Sequence, residues 1–147
     1  MAGGAPRVTE VVTDLPEATE AAAAGLARHV GRGALLLLEG EMGAGKTTFV
    51  RGLARGMGVA GDVMSPTFQL VRVYPGPVQL AHVDLYRVED AAELGDLGLD
   101  DLLDQGAVVV EWGDRLSEPG ATRVAISVLD ERRRRLRIME APDRWSW

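Results

Sequence analysis

The sequence predicts a single α/β domain: a mixed sheet with a parallel core and antiparallel additions, flanked by helices. Three observations predict it. The chain has 147 residues, the size of one ordinary domain able to bury its own core. Two short apolar runs, Leu35–Leu38 and Ala107–Val110, show no alternation and suit strands buried on both faces. The C-terminal third instead alternates, as an antiparallel pair does. Residues 1–147 are expected to form the one domain, with 1–7 as a flexible tail.

Taken in order, Val8–Val12 reads as a short strand. A helix follows, with Thr13 or Asp14 as the expected cap, Pro16 in the first turn, and Glu17 and Glu20 near the positive helix end. Leu15, Ala22, Leu26 and Val30 recur at helical spacing, and Gly31 and Gly33 stop the run. After the Leu35–Leu38 strand, residues 46–57 form a second helix with Phe49, Val50, Leu53 and Met57 on one face. Gly56–Asp62 is loop-like. Phe68–Tyr74 and Val78–Val83 are strands joined at Pro75-Gly76-Pro77. Glu89–Asp104 is helical, broken near Gly95 and Gly98. Val124, Ile126 and Val128, then Arg134, Leu136 and Ile138, give the final antiparallel pair.

Composition narrows the function. Asp plus Glu number 22 against 16 Lys plus Arg, a formal net charge of -6, and Lys46 is the only lysine. There is no cysteine, which excludes disulfides, thiolate metal sites and a thiol nucleophile. Two histidines, His29 and His82, make a multi-histidine metal centre a poor expectation. The acidic balance disfavours non-specific nucleic-acid binding. No apolar run approaches a membrane span, and no basic-then-apolar leader opens the chain, so a cytoplasmic protein without membrane contact is expected.

The chemistry sits after Leu35–Leu38. Gly40-Glu41-Met42-Gly43-Ala44-Gly45-Lys46-Thr47 matches G-x-x-x-x-G-K-[ST], the phosphate-binding Walker A loop, between a buried strand and an amphipathic helix. Small residues let the backbone wrap a phosphate with its N–H groups turned inward, and the helix N-terminus adds partial positive charge. Lys46 suits the β- and γ-phosphates and Thr47 a Mg²⁺ ion, which makes the fold P-loop NTPase-like. Such a site needs an acid, and two positions offer one: Asp84 after Val78–Val83 and Glu111 after Val108–Val110. Either can hold magnesium, directly or through water, or polarise an attacking water. Ser65-Pro66-Thr67-Phe68 occupies the place of a γ-phosphate-sensing loop, and ordinary Ser-Pro turn chemistry explains it equally well.

Together with His82-Val83-Asp84-Leu85-Tyr86-Arg87, Glu93-Leu94, Leu97-Gly98-Leu99 and Glu111-Trp112, these motifs resemble the TsaE family, also called YjeE, over residues 13–116. These are bacterial P-loop ATPases needed for threonylcarbamoyladenosine in tRNA. The resemblance implies ATP and Mg²⁺ as cofactors. It implies that Gly43, Ala44, Gly45, Lys46, Thr47 and Thr48 hold phosphates, and that Thr47 binds the metal. Asp84 becomes a Walker B-like acid, Glu111 a magnesium-side or catalytic carboxylate, and Thr67 part of a switch-like loop. Trp112 lies beside the nucleotide and Thr19 near the nucleotide end of the first helix. TsaB and TsaD are the implied partners, with TsaD transferring the threonylcarbamoyl group and ATP turnover resetting the complex. tRNA is met indirectly through that complex, and the chain itself is expected as a monomer or weak self-associate.

Arg134 shares strand parity with Leu136 and Ile138, so it is expected to point inward as an ATP contact. The rest of Arg132–Arg135 reads as a solvated edge strand, in preference to a tRNA-binding patch. Arg87, Arg115 and Arg134 are the candidates for an arginine finger. A small-molecule kinase is the alternative on the same fold, but Arg87 is the only base between Asp84 and Glu111, a poor lid. A GTPase would need a second lysine for guanine recognition, and there is none. A non-catalytic, ATP-gated assembly factor overlaps with the main reading.

Overall fold

The computed structural model describes residues 7–41, 43–59, 63, 71–85, 98–112 and 120–140. Its elements are β1 (Arg7–Thr13), α1 (Pro16–Leu26), β2 (Leu35–Glu39), α2 (Lys46–Gly56), β3 (Val71–Tyr74), β4 (Gln79–Asp84), α3 (Leu99–Gln105), β5 (Gly106–Glu111), β6 (Thr122–Val128) and β7 (Arg134–Glu140). The seven strands form one sheet in the order β1-β7-β6-β2-β5-β4-β3. β2 lies at the centre, parallel to β5 on one side and β6 on the other, and β4 continues the parallel set beside β5. The antiparallel additions are β3 on β4, and β7 and β1 beyond β6. The continuous Leu35–Leu38 run is therefore central and covered on both faces.

One face packs on α1 and α2. Leu36, Leu38, Val109, Val124 and Leu136 meet Ala23, Leu26, Phe49, Val50 and Leu53 there. The other face carries Leu35, Leu37, Val83, Val108 and Val110, with Leu99, Leu102 and Leu103 of α3 packed against it. Each fully buried leucine, valine or phenylalanine contributes about 1.5–3 kcal/mol relative to exposure. α1 and α2 approach closely because Gly52 has no side chain: a Cβ there would strike the backbone of Glu20. The Arg55–Glu20 pair across the same helices, at 3.7 Å with the arginine 62% exposed, adds little.

Four expectations change. β1 begins at Arg7, paired with Glu140, so Arg7 is in the sheet. The residue capping α1 is Leu15, with no side-chain cap, because Thr13 stays in β1 and Asp14 is spent in the connection. Leu15 is 45% exposed, and the buried stripe runs through Thr19, Ala23, Leu26 and Val30 instead. β7 is not an edge strand either, since β1 closes over it and the edges are β1 and β3. Of the expected Phe68–Tyr74 strand, Val71–Tyr74 is described; the part of the expected Glu89–Asp104 helix before Gly98 lies outside the described residues. Among the described residues no helix is long and apolar enough to cross a membrane.

Candidate nucleotide-binding site

The site begins where β2 runs out. Gly40 sits at φ 155°, and a Cβ there would come within 2.6 Å of the Ile126 carbonyl, so the turn passes under β6 only as glycine. Gly43 and Gly45 are left-handed, at φ 81° and 109°. Gly45 caps α2, and its carbonyl takes the Phe49 N–H at 2.9 Å. The loop thus curls around the start of an 11-residue helix, leaving its first N–H groups unpaired within the helix.

Lys46 is 5% exposed. Its Nζ donates to the Gly40 carbonyl at 2.7 Å and the Glu41 carbonyl at 3.0 Å. The Trp112 ring covers it, with its centroid 4.0 Å from Nζ. Trp112 reaches that place with φ 63°, the only positive φ outside glycine among the described residues. Left-handed backbone on a bulky residue costs about 1–3 kcal/mol, and such strain gathers at functional sites.

One helical position on, the Thr47 hydroxyl donates to Glu111, 3.2 Å from Oε2 and 3.4 Å from Oε1. Glu111 is 4% exposed and His82 fully buried. His82 Nε2 lies 2.5 Å from Glu111 Oε2. With Glu111 as a carboxylate, Nε2 is the donor, which leaves Nδ1 as a buried atom without a partner. Sheet register assembles this group. Asp84 pairs with Glu111 and His82 with Val109, so alternation turns His82, Asp84 and Glu111 to the α2 side. The described residues contain no group of three or more His, Cys, Asp or Glu able to cage a metal. A hydroxyl and a carboxylate at a phosphate loop are nonetheless the oxygen donors Mg²⁺ takes when it also keeps water and binds phosphate.

Beside the loop lies a cavity of about 320 Å³. Its walls come from three segments: Asp14, Leu15, Pro16 and Thr19; Gly43, Ala44, Gly45 and Thr48; and Glu131, Arg132 and Arg134. Arg134 points inward, as its parity predicts. Its Nε donates to the Ala44 carbonyl at 3.2 Å, and its Nη1 to the Asp130 carbonyl at 2.9 Å. Thr19 is 3% exposed and bonded to the Thr13 hydroxyl at 2.7 Å, which ties the start of α1 to β1. The turn carrying Arg134 is fixed by Asp130, which accepts from the Arg133 side chain at 2.7 Å and the backbone N–H groups of Arg133 and Arg132. The Arg133 side-chain hydrogen bond, then those backbone bonds, hold the Asp130 carboxyl down at about 2.

Gly43, Ala44, Gly45, Thr48, Thr19 and Arg134 thus share one cavity, with Lys46, Thr47, Glu111 and Trp112 grouped at the loop and Asp84 one strand further on. Thr67, with the whole Ser65–Phe68 segment, and Arg87 and Arg115 lie outside the described residues. Sequence reasoning gave no role to His82 or to the walls formed by Asp14–Pro16, Glu131 and Arg132. Strand parity with Asp84 could have found His82. Nothing local marks the others, because β1 meets β7 only through the topology.

A family model described as "Threonylcarbamoyl adenosine biosynthesis protein TsaE" matches residues 13–137. The chain belongs to the TsaE family. A TsaE protein of Streptomyces coelicolor is 46% identical over 121 residues, covering 79% of this chain and 75% of that one. The TsaE protein of Mycobacterium leprae is 36% identical over 148 residues, covering 93% and 89%. The crystal structure of Bacillus subtilis YdiB superposes with a TM-score of 0.80 at 29% identity, covering 97% of this chain and 92% of that chain. As a TsaE family member, the chain falls within tRNA threonylcarbamoyladenosine biosynthesis.

Proposed function

We propose that the chain binds and hydrolyses ATP with Mg²⁺, and that this turnover serves threonylcarbamoyladenosine modification of tRNA with TsaB and TsaD in the cytoplasm. The observation that carries the reading is the Thr47–Glu111–His82 hydrogen-bonded series, set against a P-loop that borders a cavity. The N–H groups at the start of α2 and the loop receive phosphate oxygens. Lys46 leaves its two loop carbonyls and Trp112 to meet the β- and γ-phosphates, exchanging neutral acceptors for charged ones. Thr47 and Glu111 would hold the metal, with Asp84 beside them, and the ion would supply charge neutralisation at the phosphates. The cavity takes the remainder of the nucleotide, with Arg134 and Thr19 on its walls. Glu111 and Asp84 orient the water that attacks the γ-phosphate in line, and Lys46 and the loop amides stabilise the charge that develops.

The test is Glu111→Gln and Asp84→Asn, assayed for ATP binding and, with TsaB and TsaD, for tRNA modification. Retained ATP binding with modification lost is the expected result. Full modification by both variants would show that hydrolysis is dispensable. Robust ATP-dependent phosphorylation of a nucleoside or metabolite by the wild-type chain would replace this reading with a kinase.

A further inference from the structure

The start of α1 and the turn between β6 and β7 leave the same end of the sheet side by side, because Thr13 is paired with Arg134. Each carries a residue that the fold does not explain. On the first, Leu15 stands at the N-cap, where its carbonyl takes the Ala18 and Thr19 N–H groups but its side chain caps nothing. Leucine is among the poorest residues for that position. Its side chain is exposed, as is the neighbouring Pro16, and both line the cavity. On the second, three consecutive arginines divide. Arg133 pairs with Asp130. Every nitrogen of the Arg134 guanidinium already meets a carbonyl: Nε that of Ala44, Nη1 those of Asp130 and Arg133, and Nη2 that of Gly43. Arg134 therefore braces the turn against the loop. Arg132 differs. Its backbone N–H is held by Asp130 at 2.9 Å, which fixes its place. Among the described residues, its exposed guanidinium makes no hydrogen bond or ion pair, and it too lines the cavity.

An apolar surface on one wall and an unspent planar cation on another suit one kind of ligand surface, a flat ring with an electron-rich face. A phosphate would gain nothing from Leu15 and Pro16, and the loop N–H groups and Lys46 already serve phosphate. We infer that the cavity holds the nucleobase between Leu15 with Pro16 and the Arg132 guanidinium. The base is gripped by its faces, through apolar contact on one side and cation–π attraction on the other. Every base offers such a face, so the grip is indifferent to which purine is bound. It raises affinity for a nucleoside triphosphate over a bare phosphate chain and leaves the choice between adenine and guanine to other contacts. It also accounts for a leucine at the start of α1, where a capping side chain would serve the helix better but the base worse. The inference rests on the nucleotide reading proposed above.

The test compares ATP, GTP and inorganic tripolyphosphate, each with Mg²⁺, by calorimetric titration of wild type, Arg132→Ala and Leu15→Ser. Arg132→Ala is expected to weaken ATP and GTP by the same factor, about two- to thirtyfold, with tripolyphosphate binding and the Tm of the empty protein unchanged. Leu15→Ser should weaken both nucleotides while raising the Tm, since serine caps α1. Equal nucleotide affinity in wild type and Arg132→Ala overturns the grip and leaves the proposed function standing. So does a loss shared by tripolyphosphate, which would make Arg132 a phosphate contact. A loss confined to one purine overturns it as well, because Arg132 would then read the edge of the base. Failure of wild type to bind ATP overturns the proposed function along with the grip.

Discussion

Replacing His82 with leucine separates positioning from packing at the proposed metal side of the site. His82 is fully buried and holds Glu111 Oε2 at 2.5 Å, and the carboxylate's other side-chain partner is Thr47. Losing a hydrogen bond to a carboxylate costs about 1.5–3 kcal/mol. Leucine also removes the partnerless Nδ1, recovering about 1 kcal/mol of desolvation cost. The net destabilisation is then about 0.5–2 kcal/mol, a fall in Tm of about 1–8 °C for a chain of this size. The effect on the metal should be larger. A carboxylate freed from its orienting partner commonly loses about 10–100-fold in metal affinity. Thermal melting without nucleotide gives the first quantity, and Mg²⁺ titration of ATPase activity at saturating ATP gives the second. His82→Gln, which keeps an N–H donor at similar reach, should recover much of the Mg²⁺ response. A leucine variant with lowered Tm but wild-type Mg²⁺ dependence would refute the positioning role and leave His82 as a packing residue.

Gly52→Ala should destabilise the fold by about 1–3 kcal/mol in urea unfolding, because the clash with the Glu20 backbone outweighs the roughly 1 kcal/mol that alanine gains in a helix; a stabilised variant would disprove the close approach of α1 and α2. The Asp130 carboxyl should titrate by NMR with its midpoint at about 2, and Arg133→Ala should raise it towards the ordinary carboxylate range. The folded value is depressed, so any stability from this group is present above the unfolded pKa near 4 and is lost as pH falls towards 2. The side chain is exposed, so this contribution is small.

The parts of the fold that were legible in the sequence are those decided by local pattern. Leu35–Leu38 announces a strand covered on both faces because nothing in it is polar, and β2 is the central strand. The Walker A spacing places left-handed glycines where the loop turns. Alternation turns Arg134 inward because side-chain period does not depend on which strand pairs with which. What failed depended on pairing. Whether Arg135 lies on an edge is decided by β1, more than 120 residues earlier, and no pattern in Arg132–Arg135 records it. The cap of α1 was misplaced because Thr13 and Asp14 both suit a cap, while Thr13 is claimed by β1 and by Thr19. The left-handed Trp112 is invisible beforehand, since tryptophan does not favour that conformation and only the pull of its surroundings sustains it.

The pairing of β1 with β7 has a consequence for how the protein is made. The cavity wall is stitched from residues near 14–19, 43–48 and 131–134, and β7 must lie between β1 and β6 before Arg134 can lean on the loop. On the ribosome, the Walker A loop emerges long before the strand that completes the site beside it. A nascent chain stalled ahead of residue 134 carries the phosphate loop without its arginine, and β1 is left without its only sheet neighbour. Closure of that cavity wall is thus tied to synthesis of β7, and the pairing of β1 with β7 closes a long loop, the kind of contact that forms slowly.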